Sequence, residues 1–173
     1  MAKLLFERKF DQKRRRHYVN DNLAVLHCHH YATLFSQLAL DAKDIVDGTK
    51  ILYETMEDVT AEMLTSYFTK HSVNDLKDRI EIACQMFSAM GLGRIVPLSI
   101  ENSGGEIEMP NSHVDQGWIK KWGRYNKPVN YIGAGYIAGM FRAIFDKPGR
   151  FYKVIETESI VQGSNVSRFK ISS

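Results

Sequence analysis

The sequence predicts an α+β fold, with an antiparallel sheet of about four strands packed against a helical layer. Three observations carry this reading. Hydrophobic residues recur at helical spacing over most of the first ninety residues. The period shifts to strand-like alternation around Arg94–Met109 and again around Arg150–Ile171. Between those two runs lies a helix, Tyr131–Phe145, that is apolar on most sides and is therefore expected to be buried.

Residues 3–20 alternate imperfectly and read as a short strand or extended basic arm. From Leu23 to Ile45 the pattern is helical. Leu23, His27, His30, Tyr31, Leu34, Leu38 and Ile45 share one side, and Asn20, Asp21 or Asn22 is placed to cap the start. A second helix is expected from Thr49 to Lys70 and a third from Asn74 to the Gly91-Leu92-Gly93 stop. Arg94–Ile100 and Glu106–Met109 flank Glu101-Asn102-Ser103-Gly104-Gly105, which predicts a hairpin. Pro97 assigns its first strand to an edge or a bulge. Ser112 caps an amphipathic helix carrying Trp118 and Trp122 at i, i+4. Tyr131–Phe145 follows and stops at Asp146-Lys147-Pro148-Gly149. Arg150–Val161 and Val166–Ile171 form the last hairpin. The glycines Gly133, Gly135 and Gly139 each lower helix propensity by about 1 kcal/mol relative to Ala, so a close backbone approach is expected there.

With 173 residues, the chain has the length of one domain, 1–173, and can bury a core without disulfides. Two cysteines, Cys28 and Cys84, are too few for a disulfide scaffold and point to a cytoplasmic setting. Cys84 reads as a structural thiol rather than a nucleophile. Met1-Ala-Lys-Leu-Leu-Phe runs straight into charged residues, without the apolar core of a signal peptide. The longest apolar helix is too short for a membrane span and contains Arg142. Net charge is +3, with five basic residues at Lys9 and Lys13–Arg16. No nucleic-acid-binding signature accompanies them, so a solvated arm is expected and nucleic acid is not an expected partner. Gly133–Gly139 superficially matches a dinucleotide fingerprint, but no strand precedes it.

The C-terminal third resembles the 4-vinyl reductase domain family, also called hydrocarbon-binding domains. Gly135-Tyr136-Ile137-Ala138-Gly139 is similar to that family's glycine-aromatic-x-alanine-glycine helix. Glu156-Thr157-Glu158-Ser159, Gly163 and Ser167-Arg168-Phe169-Lys170-Ile171 follow its Glu-x-x-Cys, Gly-turn and Cys-x-Phe pattern. Trp118 and Trp122-Gly123 are similar to the segment that precedes the helix. The match covers residues 115–173 closely and residues 20–110 in architecture only. The resemblance implies the ligand-binding fold of nitric-oxide signalling and Golgi transport domains. It also implies an apolar pocket between helices and sheet, a small apolar or amphipathic ligand, and a homodimer. Ser159 and Ser167 stand where the family has cysteines, and the thiolate metal site that those cysteines make is not carried over.

The second informative stretch is His27-Cys28-His29-His30-Tyr31. On one helix, His27 and His30 lie roughly 60° apart within the apolar stripe. With His113 they could ligate a transition metal ion; Asp115, Glu101 and Glu108 are weaker candidates. The expected ligand-binding residues are His27, His30, Tyr31, Trp118, Gly135, Tyr136 and Gly139, around one cavity. The histidines would bind a metal, a heme-like cofactor or the polar head of a ligand. The alternative function is a metal-dependent enzyme with Tyr31, Glu101 or Asp115 as acid–base groups. Core histidines bonded to backbone remain the structural alternative.

Overall fold

The computed structural model describes residues 2–173. The chain begins with three short strands, β1 (Arg8–Asp11), β2 (Arg16–Val19) and β3 (Asn22–Ala24), paired antiparallel in that order. Their turn at Asn20-Asp21 has φ of 46° and 66°. Two successive left-handed residues make a tight hairpin connection, and Asn and Asp tolerate that conformation best after glycine. This corrects the expected helix from Leu23. Asn20, Asp21 and Asn22 do not cap a helix; they send the chain back as β3.

The first helix, α1 (His29–Asp41), starts later than expected, so His27 lies in the loop before it. A short 3-10 turn leads to α2 (Gly48–Lys70), capped by the Asp47 carboxylate, which accepts from the Lys50 N–H. Asp75, rather than Asn74, caps α3 (Leu76–Ala89). Strands β4 (Gly93–Glu101) and β5 (Gly104–Ser112) form the expected hairpin. β4 is an edge strand with register shifts on either side of Val96-Pro97, as the missing N–H of Pro97 requires. Then come α4 (His113–Trp122), α5 (Tyr131–Phe145), β6 (Lys153–Glu158) and β7 (Ser167–Ser172), with a 3-10 turn at Ile160–Gln162.

The four longer strands make one antiparallel sheet in the order β4-β5-β7-β6. Ile107, Met109, Phe169 and Ile171 point to its inner face and meet α5, whose Tyr136, Ile137, Met140 and Phe141 are fully buried. α2 and α3 cover α5 from the other side with Leu64, Phe68, Met86 and Phe87. The observed architecture is therefore α+β, with four antiparallel strands against helices.

The glycines of α5 serve the α2 contact. A Cβ at Gly135 would lie 2.3 Å from the Tyr53 carbonyl oxygen, and one at Gly139 would lie 2.5 Å from that of Glu57. Two backbones touch there, so dispersion contacts replace side-chain filling. The Tyr136 hydroxyl donates to the Ala83 carbonyl at 2.7 Å and its ring meets Phe87. The geometry places Gly135, Tyr136 and Gly139 in helix packing instead of on an open cavity wall.

Candidate ligand-binding site

α1 packs on α4 through small residues. Ala32, Thr33, Ser36 and Ala39 are buried, while Tyr31, Leu34, Phe35 and Leu38 are exposed. The predicted inward stripe thus faces outward. The physical reason is close approach: a Cβ on Gly117 of α4 would lie 2.3 Å from the Thr33 hydroxyl and 2.7 Å from the His29 carbonyl. The Thr33 hydroxyl donates to the His29 carbonyl at 2.7 Å, and that of Ser36 donates to the Val129 carbonyl at 2.9 Å. Bulky residues would hold these helices apart.

Four imidazoles gather at the start of this seam. His29 and His30 stack with ring centroids 4.1 Å apart. His113, the first residue of α4, lies 5.6 Å from His27 and 5.9 Å from His29. Tyr31 flanks His27 at 5.9 Å. Burial, then His29 and the nearby Lys120 and Lys121, lowers the His30 pKa. Burial and the His27 ring lower that of His113. These rings therefore favour the neutral form, in which each offers one donor and one acceptor. Nε2 of His29 and Nε2 of His113 are buried with no hydrogen-bond partner.

The cluster does not form the expected metal centre. Among the described residues, no three or more His, Cys, Asp or Glu side chains are grouped to hold an ion. His27 is exposed, and its Nδ1 lies 3.3 Å from the Cys28 carbonyl. It meets His113 edge-on, with ring centroids 5.6 Å apart. Glu101 is exposed at the far end of β4 and Tyr31 is half exposed. The metal-dependent reading of His27, His30 and His113, with Tyr31, Glu101 or Asp115 as acid–base partners, therefore has no support in the geometry.

Deeper in the seam, Trp118 is buried with Val129 and Val161, and Leu40 packs against them. Its ring lies 4.8 Å from Trp122 and 5.2 Å from Tyr125. Trp118 Nε1 is buried without an acceptor. A buried indole normally finds one. The expected cavity joining the histidines to α5 is filled by the α1–α4 and α2–α5 contacts. A hollow of about 230 Å³ lies elsewhere, lined by Thr65, Phe68, Thr69, Arg79, Ala143 and Asp146.

A second polar group sits between α4, α5 and the β6–β7 hairpin. Asn130 caps α5 by accepting from the Gly133 N–H, and donates to Ser112 at 2.9 Å and to Asp115 at 3.3 Å. The Ser167 hydroxyl donates to Asp115 and accepts from the Ile160 N–H, both at 3.1 Å. Burial raises Asp115 to about 6. Burial and the neighbouring Asp115 charge raise Glu156 to about 7. Ser159 is also fully buried here. The thiolate metal of the resembled family does not fit these residues. Their donors are hydroxyl, amide and carboxyl groups, and the Ser167 hydroxyl is already engaged on both sides. The sequence flagged Ser159 and Ser167 but missed Asn130, whose position just ahead of the apolar helix was the available signal.

No protein-family model matches the sequence, nor does any curated protein. Solved structures do. The phenol-responsive sensory domain of the transcription activator PoxR, with phenol, is similar over 95% of this chain and 84% of its own, with a TM-score of 0.80 and 15% identity. This chain has that fold. A vinyl-4-reductase family protein from Methanocaldococcus jannaschii is 21% identical over 86% of this chain and 83% of its own, with a TM-score of 0.59. A trafficking protein particle complex subunit 3 from Naegleria fowleri, covalently bound to palmitic acid, is 10% identical over 83% and 93%, with a TM-score of 0.55.

Proposed function

We propose that this chain, acting as one domain, binds a small amphipathic molecule with an aromatic or otherwise apolar body at the α1–α4 seam. The observation that carries the proposal is the set of orphaned polar atoms there: Trp118 Nε1, His29 Nε2 and His113 Nε2. Each buried, unpaired polar atom costs about 1–3 kcal/mol. A ligand hydroxyl or carboxyl reaching between the helices would recover part of that cost, and the Trp118–Trp122–Tyr125 group would hold its apolar body. His27, His30 and Tyr31 would rim the entrance. α1 would shift outward on binding, because its outer side faces solvent and only small residues hold its inner side. Two neighbours support the ligand class: one is described with phenol and another with palmitic acid. A reducing, cytoplasmic setting belongs to the proposal and agrees with the two free thiols.

Thermal shift and titration calorimetry with phenols and medium-chain fatty acids test this. Binding is expected for one class, with Trp118→Phe weakening it about tenfold through loss of one hydrogen bond. Absence of binding to either class at millimolar concentration, or full affinity in Trp118→Phe, would refute the seam as the site.

A further inference from the structure

The β1–β2 hairpin concentrates positive charge. Arg8, Lys9 and Lys13–Arg16 supply six cations over residues 8–19, against one acid, Asp11, while the whole chain carries a net charge of only +3. All six are exposed. Among the described residues, none of them joins an ion pair. The Asp11 carboxylate is turned to the backbone, where it accepts from the Arg14 N–H at 2.9 Å. Like charges crowded this way repel one another until an anionic surface meets them.

The hairpin is fastened at its base, away from the cations of its tip. There the Asn20 N–H donates to the Glu7 carbonyl at 3.0 Å, and the Asn20 side chain accepts from the Glu7 N–H at 2.8 Å. The Lys70–Asp21 ion pair at 2.6 Å ties the same end to the last turn of α2.

Apolar side chains accompany the charge. Lys9 pairs with Tyr18 and Tyr18 with Leu23, so strand alternation puts Lys9, Arg16 and Leu23 on one face. Arg8 and Phe10 share the other. Leu23 is 59% exposed and Phe10 44%. β3 runs back toward the tip, Val19 pairing with Asn22 and His17 with Ala24. Val25 and Leu26 follow it directly and are 77% and 84% exposed.

This mixture selects the partner. A nucleic-acid backbone would neutralise the cations but leave Leu23, Val25 and Leu26 without a role, because such interfaces are polar. A bilayer surface with anionic headgroups takes both. The cations meet lipid phosphates and carboxylates, and the aliphatic side chains enter the boundary between headgroups and acyl chains. We infer that the β1–β2 hairpin and the Leu23–Leu26 segment dock this chain on the surface of a bilayer that carries anionic lipids. The contact does not depend on a ligand in the α1–α4 seam.

Flotation of the full chain with phosphatidylcholine vesicles, with and without about 30% phosphatidylserine, tests the inference. The chain is expected to float with anionic vesicles at least about ten times more than with neutral ones, and to be released as salt rises from about 0.1 M to about 0.5 M. Replacing Arg14, Arg15 and Arg16 together by Ala is expected to weaken binding about a hundredfold. Leu26→Asn keeps every charge and is expected to weaken it about fivefold through lost insertion. Lys153→Ala with Lys170→Ala removes two exposed cations from the sheet and serves as the control, expected to float like the wild type. Circular dichroism is expected to be unchanged in all three, because the altered side chains are exposed. Equal recovery with neutral and anionic vesicles, full binding by the triple variant or by Leu26→Asn, equal loss in the control, or tighter binding to duplex DNA than to the anionic vesicles would overturn the inference.

Discussion

Asp115 and Glu156 show how much a residue's behaviour depends on what surrounds it. Each is an ordinary carboxylate in the unfolded chain, near pH 4. In the fold both are pushed up: Asp115 to about 6 by burial, and Glu156 to about 7 by burial and then by the Asp115 charge. Because the folded values are raised, the folded state binds more protons than the unfolded chain between roughly pH 4 and 7. The pair's favourable contribution is complete below the unfolded pKa and is lost as pH rises through 6 and 7. Thermal melts are therefore expected to show falling stability between pH 5.5 and 8 from this pair. Glu156→Gln should flatten the upper part of that slope, because the group raised to about 7 no longer titrates. An unchanged slope in the variant would show that the carboxyls are solvated. Asn130 belongs to the same network; its capping of Gly133 is a local signal, whereas its bonds to Ser112 and Asp115 depend on an element that only the fold brings to it.

Helices in this chain are chosen by period but oriented by shape. The α5 boundaries, Tyr131 and Phe145, are the predicted ones, because the apolar run and its Asp-Lys-Pro-Gly stop are local signals. The partner of its glycine face was not legible, since α2 lies about eighty residues earlier. Adding a methyl at Gly139 should gain helix propensity of roughly 1 kcal/mol and lose about 1–3 kcal/mol to overpacking against the Glu57 carbonyl. Denaturant melts of Gly139→Ala are expected to show net destabilisation; a stabilised variant would mean that the two backbones are not in contact. For α1 the same reasoning explains the inverted face. Periodicity identifies an amphipathic helix but ranks large apolar residues as inward. Here Ala32, Ser36 and Ala39 win the inner side, because Gly117 and Gly48 admit closer approach than Leu or Tyr allows.

At the scale of the whole molecule, stability is distributed unevenly. The α5–α2–sheet core is buried, whereas β1–β3 bury almost nothing. Amide exchange should therefore proceed in that order. β1–β3 and the start of α1 are expected to exchange on the order of 10³ times faster than α5. A bound ligand should slow α1 and α4 first, and slowing confined to β4–β7 would argue against the seam. From α2 onward the order of helices and hairpins, the edge position of β4 and the buried glycine helix were determined by the sequence alone, because caps, turns and periodicity act within a few residues. Tertiary structure decided the rest. It turned the α1 stripe outward, separated His27 from its helix, closed the expected cavity and gathered Asp115, Asn130, Glu156, Ser159 and Ser167 into one buried cluster. Those outcomes depend on backbone distances between elements, and one-dimensional spacing carries no record of such distances.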